Sequence, residues 1–283
     1  MEHFVDGQHV RLRSTLLGRY LHADEDGDSV SLQDRRASVN SAWAVELHYL
    51  DDYGPHVLLC SAAYGRYLAA TDARALVGRG LRVEQRNYDD PDSDGDVEQD
   101  DLEMNAILWR VFRMQGRDGV HLRNVNGGCL LATEVLGHYR GNGVSAEDTQ
   151  FIPMMMNWVV EPIPTMAIPP ELPAEVPLPD AMLTWREIDY VWLNADGAII
   201  TQGWYPFAGR SLLRLSTNLA VCLSAEWGME GVPDIVICLP ARGGRLLPLV
   251  VDLPSSEQDF RVVVLNAGSP AHAALRYADV DAE

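Results

Sequence analysis

The sequence predicts a mainly β protein of two domains, and three observations carry that expectation. Gly18-Arg19-Tyr20-Leu21-His22-Ala23 recurs as Gly65-Arg66-Tyr67-Leu68-Ala69-Ala70 and, more loosely, as Gly128-Cys129-Leu130-Leu131-Ala132-Thr133. Seven prolines then fall in the 18 residues from Pro162 to Pro179. Beyond them, one amphipathic helix pattern stands among short aliphatic strands. The internal repeat is the strongest signal, because in-register copies of one unit are hard to produce by chance.

Each copy reads as antiparallel β structure. Val10, Val57 and Val120 open a strand eight residues before the three glycines, and Trp43, Trp109 and Trp158 follow later in each copy. Val10-Arg11-Leu12-Arg13-Ser14 alternates apolar and polar, as a half-buried strand does. A glycine opens the second strand where the backbone turns tightly. A unit of about four strands cannot bury its apolar face alone, and closing three of them on one another removes the open edges. The architecture implied is a β-trefoil over residues 1–161, with repeats at 10–49, 57–114 and 120–161. Asp24-Glu25-Asp26-Gly27-Asp28 is a hairpin tip.

An acidic insertion at 89–103 interrupts the second copy, with nine acids and no arginine. Asp90, Asp92 and Asp94 fit positions 1, 3 and 5 of a calcium loop, with Gly95 at 6 and Asp101 at 12. Asp96 adds a further carboxylate. Asp101 is shorter than the bidentate Glu this geometry favours, and Leu81-Arg82-Val83-Glu84 before it reads as strand rather than helix. Two readings stand: a solvated acidic insertion, or a weak calcium site. No other cofactor is expected.

The opening Met1-Glu2-His3-Phe4, the run Gly7-Gln8-His9-Val10-Arg11-Leu12-Arg13-Ser14, Gly18 through Asp24, and Trp158-Val159-Val160-Glu161-Pro162 resemble a plant family. It is catalogued as domain of unknown function 569 and described as fascin-like or actin-cross-linking. Gly209-Arg210-Ser211 through Val250-Val251-Asp252-Leu253-Pro254 resembles that family's second domain, so the likeness covers nearly the whole chain. It implies a fascin-like trefoil, filamentous actin as a partner, and a stress or defence role. In the third copy Cys129 and Leu130 replace the Arg and Tyr of the phrase, so a ligand surface built on Arg19 and Arg66 is not threefold.

Composition narrows the function. At 283 residues, two domains can each bury a core. A net charge of −19 repels nucleic acid, and no basic stripe interleaved with aromatics is present. The 22 basic residues are all arginine. Codon bias and selection against ubiquitin attachment both account for that, since Arg keeps its charge but accepts no isopeptide bond. Without 89–103 the trefoil is near neutral, leaving Arg11, Arg13, Arg19, Arg35, Arg36, Arg66 and Arg123 for an anionic partner. Cys60, Cys129, Cys222 and Cys238 form no Cys-x-x-Cys pair and read as free thiols of an intracellular protein. No apolar stretch long enough to span a membrane and no secretory leader are visible, so a cytoplasmic or nuclear location is expected.

Residues 162–182 read as a proline-rich, semi-rigid linker, and 183–283 as an α+β domain. Ile188–Leu193 and Ala198–Trp204 form a hairpin about Asn194-Ala195-Asp196-Gly197. Ser211 caps a helix whose Leu212, Leu215, Leu219 and Leu223 share one face, and Gly228 stops it. Ile235–Leu239 and Leu247–Val251 flank the turn Gly243-Gly244, and Phe260–Leu265 closes the set. The order ββαβββ fits a compact domain, with a ubiquitin-like β-grasp as one arrangement it allows.

No nucleophile elbow, phosphate loop, dinucleotide fingerprint or zinc-protease helix occurs. The expectation is a non-enzymatic interaction or scaffold protein whose trefoil binds a protein partner, filamentous actin being the one the resemblance suggests. Arg19, Tyr20, Arg66 and Tyr67 are the candidate contact residues, although both tyrosines also suit the barrel core. Two alternatives stay open. One is a carbohydrate-binding trefoil, without the Gln-x-Trp repeats of ricin-type lectins. The other is a ubiquitin-pathway adaptor acting through the C-terminal domain.

Overall fold

Three copies of one four-strand unit build the first part of the structure, a computed structural model that describes residues 3–50, 54–75, 80–88, 103–113, 118–134, 142–148, 153–175 and 183–282. Copy one is β1 (His9–Ser14), β2 (Tyr20–Ala23), β3 (Val30–Gln33) and β4 (Trp43–Leu50). Copy two is β5 (Gly54–Ser61), β6 (Tyr67–Arg74), β7 (Leu81–Arg86) and β8 (Trp109–Arg113). Copy three is β9 (Val120–Asn124), β10 (Cys129–Glu134), β11 (Asn142–Glu147) and β12 (Trp158–Ile163).

The first and last strands of the copies close a ring. β1 pairs β4, β4 pairs β5, β5 pairs β8, β8 pairs β9, β9 pairs β12, and β12 returns to β1. The middle strands form the hairpins β2–β3, β6–β7 and β10–β11. This is the β-trefoil that the repeat predicts. Its threefold anchor is the pair of residue types that recur in the sequence: Val10 lies opposite Trp43, Val57 opposite Trp109 and Val120 opposite Trp158. Each indole is fully buried, and each N–H still finds an acceptor. Trp43 Nε1 donates to Leu21 O at 3.2 Å, Trp109 to Leu68 O at 2.8 Å and Trp158 to Leu130 O at 2.9 Å. A buried Trp removes on the order of 200 Å² from water, and the satisfied N–H avoids the penalty of an orphan donor.

These bonds correct the alignment of the third copy. Leu21, Leu68 and Leu130 are equivalent, so Cys129 stands where Tyr20 and Tyr67 stand, and Gly128 where Arg19 and Arg66 stand. The turn bonds agree: Ser14 N–H donates to Arg19 O, Ser61 N–H to Arg66 O, and Asn124 N–H to Gly128 O. The third turn is one residue shorter, and its left-handed glycine is Gly127. A Cβ at Gly128 would come 2.7 Å from the Ala146 carbonyl carbon, so no arginine fits there.

The chain divides into two compact units, Met1–Ala62, Arg66–Pro164 and Ala278–Glu283 in one, Ala63–Gly65 and Thr165–Tyr277 in the other. The second contains β13 (Thr165–Met166), β14 (Trp185–Leu193), β15 (Ile199–Ala208), α1 (Leu212–Glu226), β16 (Ile235–Ala241), β17 (Arg245–Pro248), β18 (Phe260–Asn266) and the turn α2 (Pro270–Ala273). β19 (Tyr277–Ala278) forms a two-stranded ribbon with β13. The main sheet runs β15-β14-β18-β16-β17, with β14 and β18 parallel at its centre. First and last strands adjacent and parallel, with a helix crossing one face, make this a ubiquitin-like domain. Ser211 Oγ accepts from Arg214 N at 3.3 Å and caps α1. Leu212, Leu215, Leu219 and Leu223 are buried against Ile188, Tyr190, Phe260, Val262 and Val264.

The proline run is not only a spacer. Pro162 and Ile163 lie in β12, opposite Val10 and His9. Leu172 packs on the core of the second unit. Residues 176–182 lie outside the described residues. The chain also returns at its far end, since Ala278–Glu283 belongs to the trefoil unit rather than to the domain that precedes it.

Candidate interaction site

The four expected contact residues do not make one surface. Tyr67 is buried; its hydroxyl donates to Glu46 Oε2 at 3.1 Å, and its ring meets Tyr88 edge-on with centroids 6.4 Å apart. Arg66 is buried as well. Its Nη1 donates to Gly27 O and to Asp28 Oδ1, each at 2.7 Å, and so ties the second copy to the hairpin tip of the first. Tyr20 sits at the margin of the core and donates to Glu161 Oε2 at 3.4 Å. Arg19 reaches outward to Asp34, with Nε to Oδ1 at 3.2 Å. Burial is the reason for the difference: Arg66 and Tyr67 bind the barrel to itself.

The tyrosines expose a pattern that sequence reasoning missed. Glu46 and Glu161 each lie three residues after the Trp of the preceding copy round the ring, and each accepts from the next copy's tyrosine. At the third junction Phe112 stands at the Glu position and Cys129 at the Tyr position. Both polar partners are lost together, which leaves no half-paired buried group. The recurrence of Glu after Trp is the signal that could have found these residues.

Glu161 is the centre of a larger cluster. Arg13 Nε donates to its Oε1 at 2.7 Å, and Arg36 Nε lies 3.8 Å from its Oε2. Arg13 and Arg36 stay about a third exposed, at 34% and 37% of their side chains. Strand alternation turns Leu12 inward and Arg11 and Arg13 to the opposite side of β1. Arg11 is nevertheless buried. Its Nε donates to Arg36 O at 2.9 Å and its Nη2 to Val280 O. Burial lowers the Arg11 pKa first of all, and Arg36 adds to this, while Glu161, Tyr20 and Asp279 oppose it. The Arg13 pKa is raised, chiefly by its hydrogen bond with Glu161.

The cover over Arg11 is a peptide. Arg36 Nη1 donates to Ala282 O at 2.8 Å, and Asp279 N–H donates to Pro164 O at 2.9 Å. Ala278, Val280 and Val39 each pack on Ala42, Ala62 and Ile163. The site is thus a set of guanidinium donors beside a small apolar seat. Such donors match carbonyls and carboxylates in a fixed fork, and they hold their protons at neutral pH. The arrangement suits recognition of an extended, acidic chain.

Asp90, Asp92, Asp94, Asp96 and Asp101 lie outside the described residues. Among the described residues no three His, Cys, Asp or Glu side chains converge as a metal would require. The Cys60 thiol is pushed up by burial, and Cys238 is pushed up to about 12 by the same cause. The His56 pKa is lowered, first by burial and then by Arg110, whose Nε donates to its Nε2 at 3.0 Å. In the ubiquitin-like unit, Trp185 and Trp204 project from the sheet face opposite α1, exposed at 69% and 63%. Elsewhere in the same unit, beside the start of α1, a cleft of about 200 Å³ is lined by Pro169, Pro170, Leu172, Leu212, Ile237 and Tyr277. No helix among the described residues is long and apolar enough to cross a membrane.

Residues 1–130 match the family of the β-trefoil domain of unknown function DUF569. Residues 184–265 match the DUF569-associated ubiquitin-like domain. Among solved structures, the chain is similar to a ricin B-like lectin of Macrolepiota procera in complex with lactose. That likeness has 16% identity and a TM-score of 0.41, and covers 56% of this chain and 96% of the lectin. An SDF2-like protein from Arabidopsis thaliana matches at 14% identity and TM-score 0.42, over 56% of this chain and 93% of that one. A Caenorhabditis elegans protein with unknown function matches at 17% and 0.43, over 56% and 96%. No curated protein matches the chain.

Proposed function

Because this chain belongs to the family that joins the DUF569 β-trefoil to its associated ubiquitin-like domain, we propose that it is a non-enzymatic interaction protein whose trefoil binds a protein partner. The observation that supports this reading is the arginine cluster about Glu161, where Arg13 and Arg36 stand about a third exposed beside a seat that accommodates a peptide. Arginines that cannot give up a proton near neutral pH bind rather than react. Filamentous actin is the first partner to try, on the strength of the family resemblance. Co-sedimentation of the full chain with filaments, at low and high salt, tests it. Saturable pelleting that weakens with salt, and weakens severalfold in Arg13→Ala/Arg36→Ala, is the expected outcome. No pelleting at either salt removes actin as the partner.

A second reading has its own support. Trp185 and Trp204, exposed on one face of the ubiquitin-like domain, are the residue type most enriched at binding hot spots. An adaptor in the ubiquitin pathway would use such a face. A pull-down with the full chain that recovers ligase or proteasome components, and loses them with Trp204→Ala, is the outcome this reading requires.

A further inference from the structure

We infer that the trefoil face built from Arg11, Arg36, Val39, Ala42 and Ile163 is a groove for an extended acidic segment of a partner protein, which the chain's own residues 278–282 occupy in cis. The inference rests on reading the trefoil as a partner-binding module, and it names the chemistry of the partner. Four observations carry it.

First, the groove recognises main chain. Arg11 and Arg36 donate to the carbonyls of Val280 and Ala282, and Pro164 O accepts from Asp279 N–H. Main-chain bonds supply affinity without fixing sequence. Second, side-chain selection is confined to a small seat. Ala278 and Val280 pack on Ala42, Ala62 and Ile163, so a short aliphatic anchor suffices. Third, the charges are complementary. Ala278-Asp279-Val280-Asp281-Ala282 alternates aliphatic and acidic residues, and Asp279 stabilises the charge of Arg11. Fourth, the groove has spare capacity. Arg11 is fully buried, yet its Nη1 meets no hydrogen-bond partner among the described residues. A buried guanidinium donor left unpaired is costly, and a segment that offers one more acceptor would hold on better than residues 278–282 do.

The consequence is self-occlusion. A tethered segment acts at an effective concentration in the millimolar range, so a free segment competes poorly until the tether is displaced or weakened. The groove is therefore closed to weak partners and open to one that completes the Arg11 contact.

The test uses a fluorescent peptide, Tyr-Ala-Asp-Val-Asp-Ala-Glu, copying residues 277–283, with anisotropy as readout. In the full chain, Val280→Asp places a carboxylate on the apolar seat and releases the segment. That variant should bind the peptide at least about tenfold tighter than the wild-type chain does. A peptide with Asp in place of its Val should bind neither. Equal, weak binding by both chains, with the variant's circular dichroism unchanged, overturns the inference. If Val280→Asp does not fold, the wild-type chain still decides. Excess peptide should speed hydrogen exchange at the Asp279 amide, and no change there is a negative result. Concentration-dependent dimers of the wild-type chain that vanish with Val280→Asp would overturn the assignment to a partner protein and give the groove to a second copy. Loss of peptide binding with actin pelleting intact removes the groove but leaves the partner-binding reading standing.

Discussion

His9 shows how a single buried side chain sets pH behaviour. It is 3% exposed, and burial lowers its pKa from 6.5 to about 4. The folded state therefore keeps the ring neutral, while the unfolded chain takes up a proton near 6.5. Stability from this site is complete above 6.5 and is lost as pH falls toward 4. The span is worth about 3 kcal/mol by linkage. Urea midpoints measured at about pH 7.5 and about pH 4.5 should drop on acidification, and His9→Leu should flatten the drop. Arg66 is a second buried group on which stability depends. Its guanidinium is buried and bound to Gly27 O and Asp28, so Arg66→Ala should destabilise the trefoil by about 2 kcal/mol, discounted for the partial exposure of Asp28. A melting temperature unchanged by the substitution would refute it. Arginine at a turn reads as surface from sequence, because Arg is seldom fully buried. Only the neighbouring hairpin tip, far away in the chain, shows where it goes.

At the scale of elements, the strand and helix patterns were legible because their causes are local. α1 carries four leucines at three- and four-residue spacing, a serine cap and a stopping glycine, and all of them act as expected. Leu219→Ala in its buried face should cost about 3 kcal/mol through lost burial and the cavity left behind. Denaturation of the full chain should then show the ubiquitin-like unit unfolding earlier, by a red shift of its tryptophan fluorescence. The third repeat was less legible. Its turn is one residue short, and Gly128-Cys129-Leu130 can be aligned two ways on residue type alone. The Trp158 Nε1 bond to Leu130 O decides between them. The paired replacement of Tyr by Cys129 and Glu by Phe112 makes sense only once the ring is closed.

For the whole molecule, charge and connectivity govern what is expected. The arginines that the sequence offers to an anionic partner are largely engaged within the trefoil: Arg13 and Arg36 with Glu161, Arg66 with Asp28, Arg11 with the carbonyl of Val280. A partner that uses Arg13 and Arg36 must compete with a carboxylate already in place, so binding should be salt-sensitive and modest. Affinity measured at about 50 mM and about 200 mM salt should fall across the range, whereas an apolar interface would change little.

The repeat, its strand starts, the buried tryptophans and the helix with its caps are all legible in the chain itself. Each of these follows from short-range periodicity, turn chemistry or a residue type with few acceptable environments. Which polar groups meet depends on the closed fold. Glu161 gathers residues from β1, β2 and the loop after β3, and residues 278–282 return to cover Arg11. A hydrogen bond between groups separated by more than two hundred residues leaves no periodic trace in the chain. It exists because closure of the barrel buries a guanidinium, and a buried donor must find an acceptor wherever the fold supplies one.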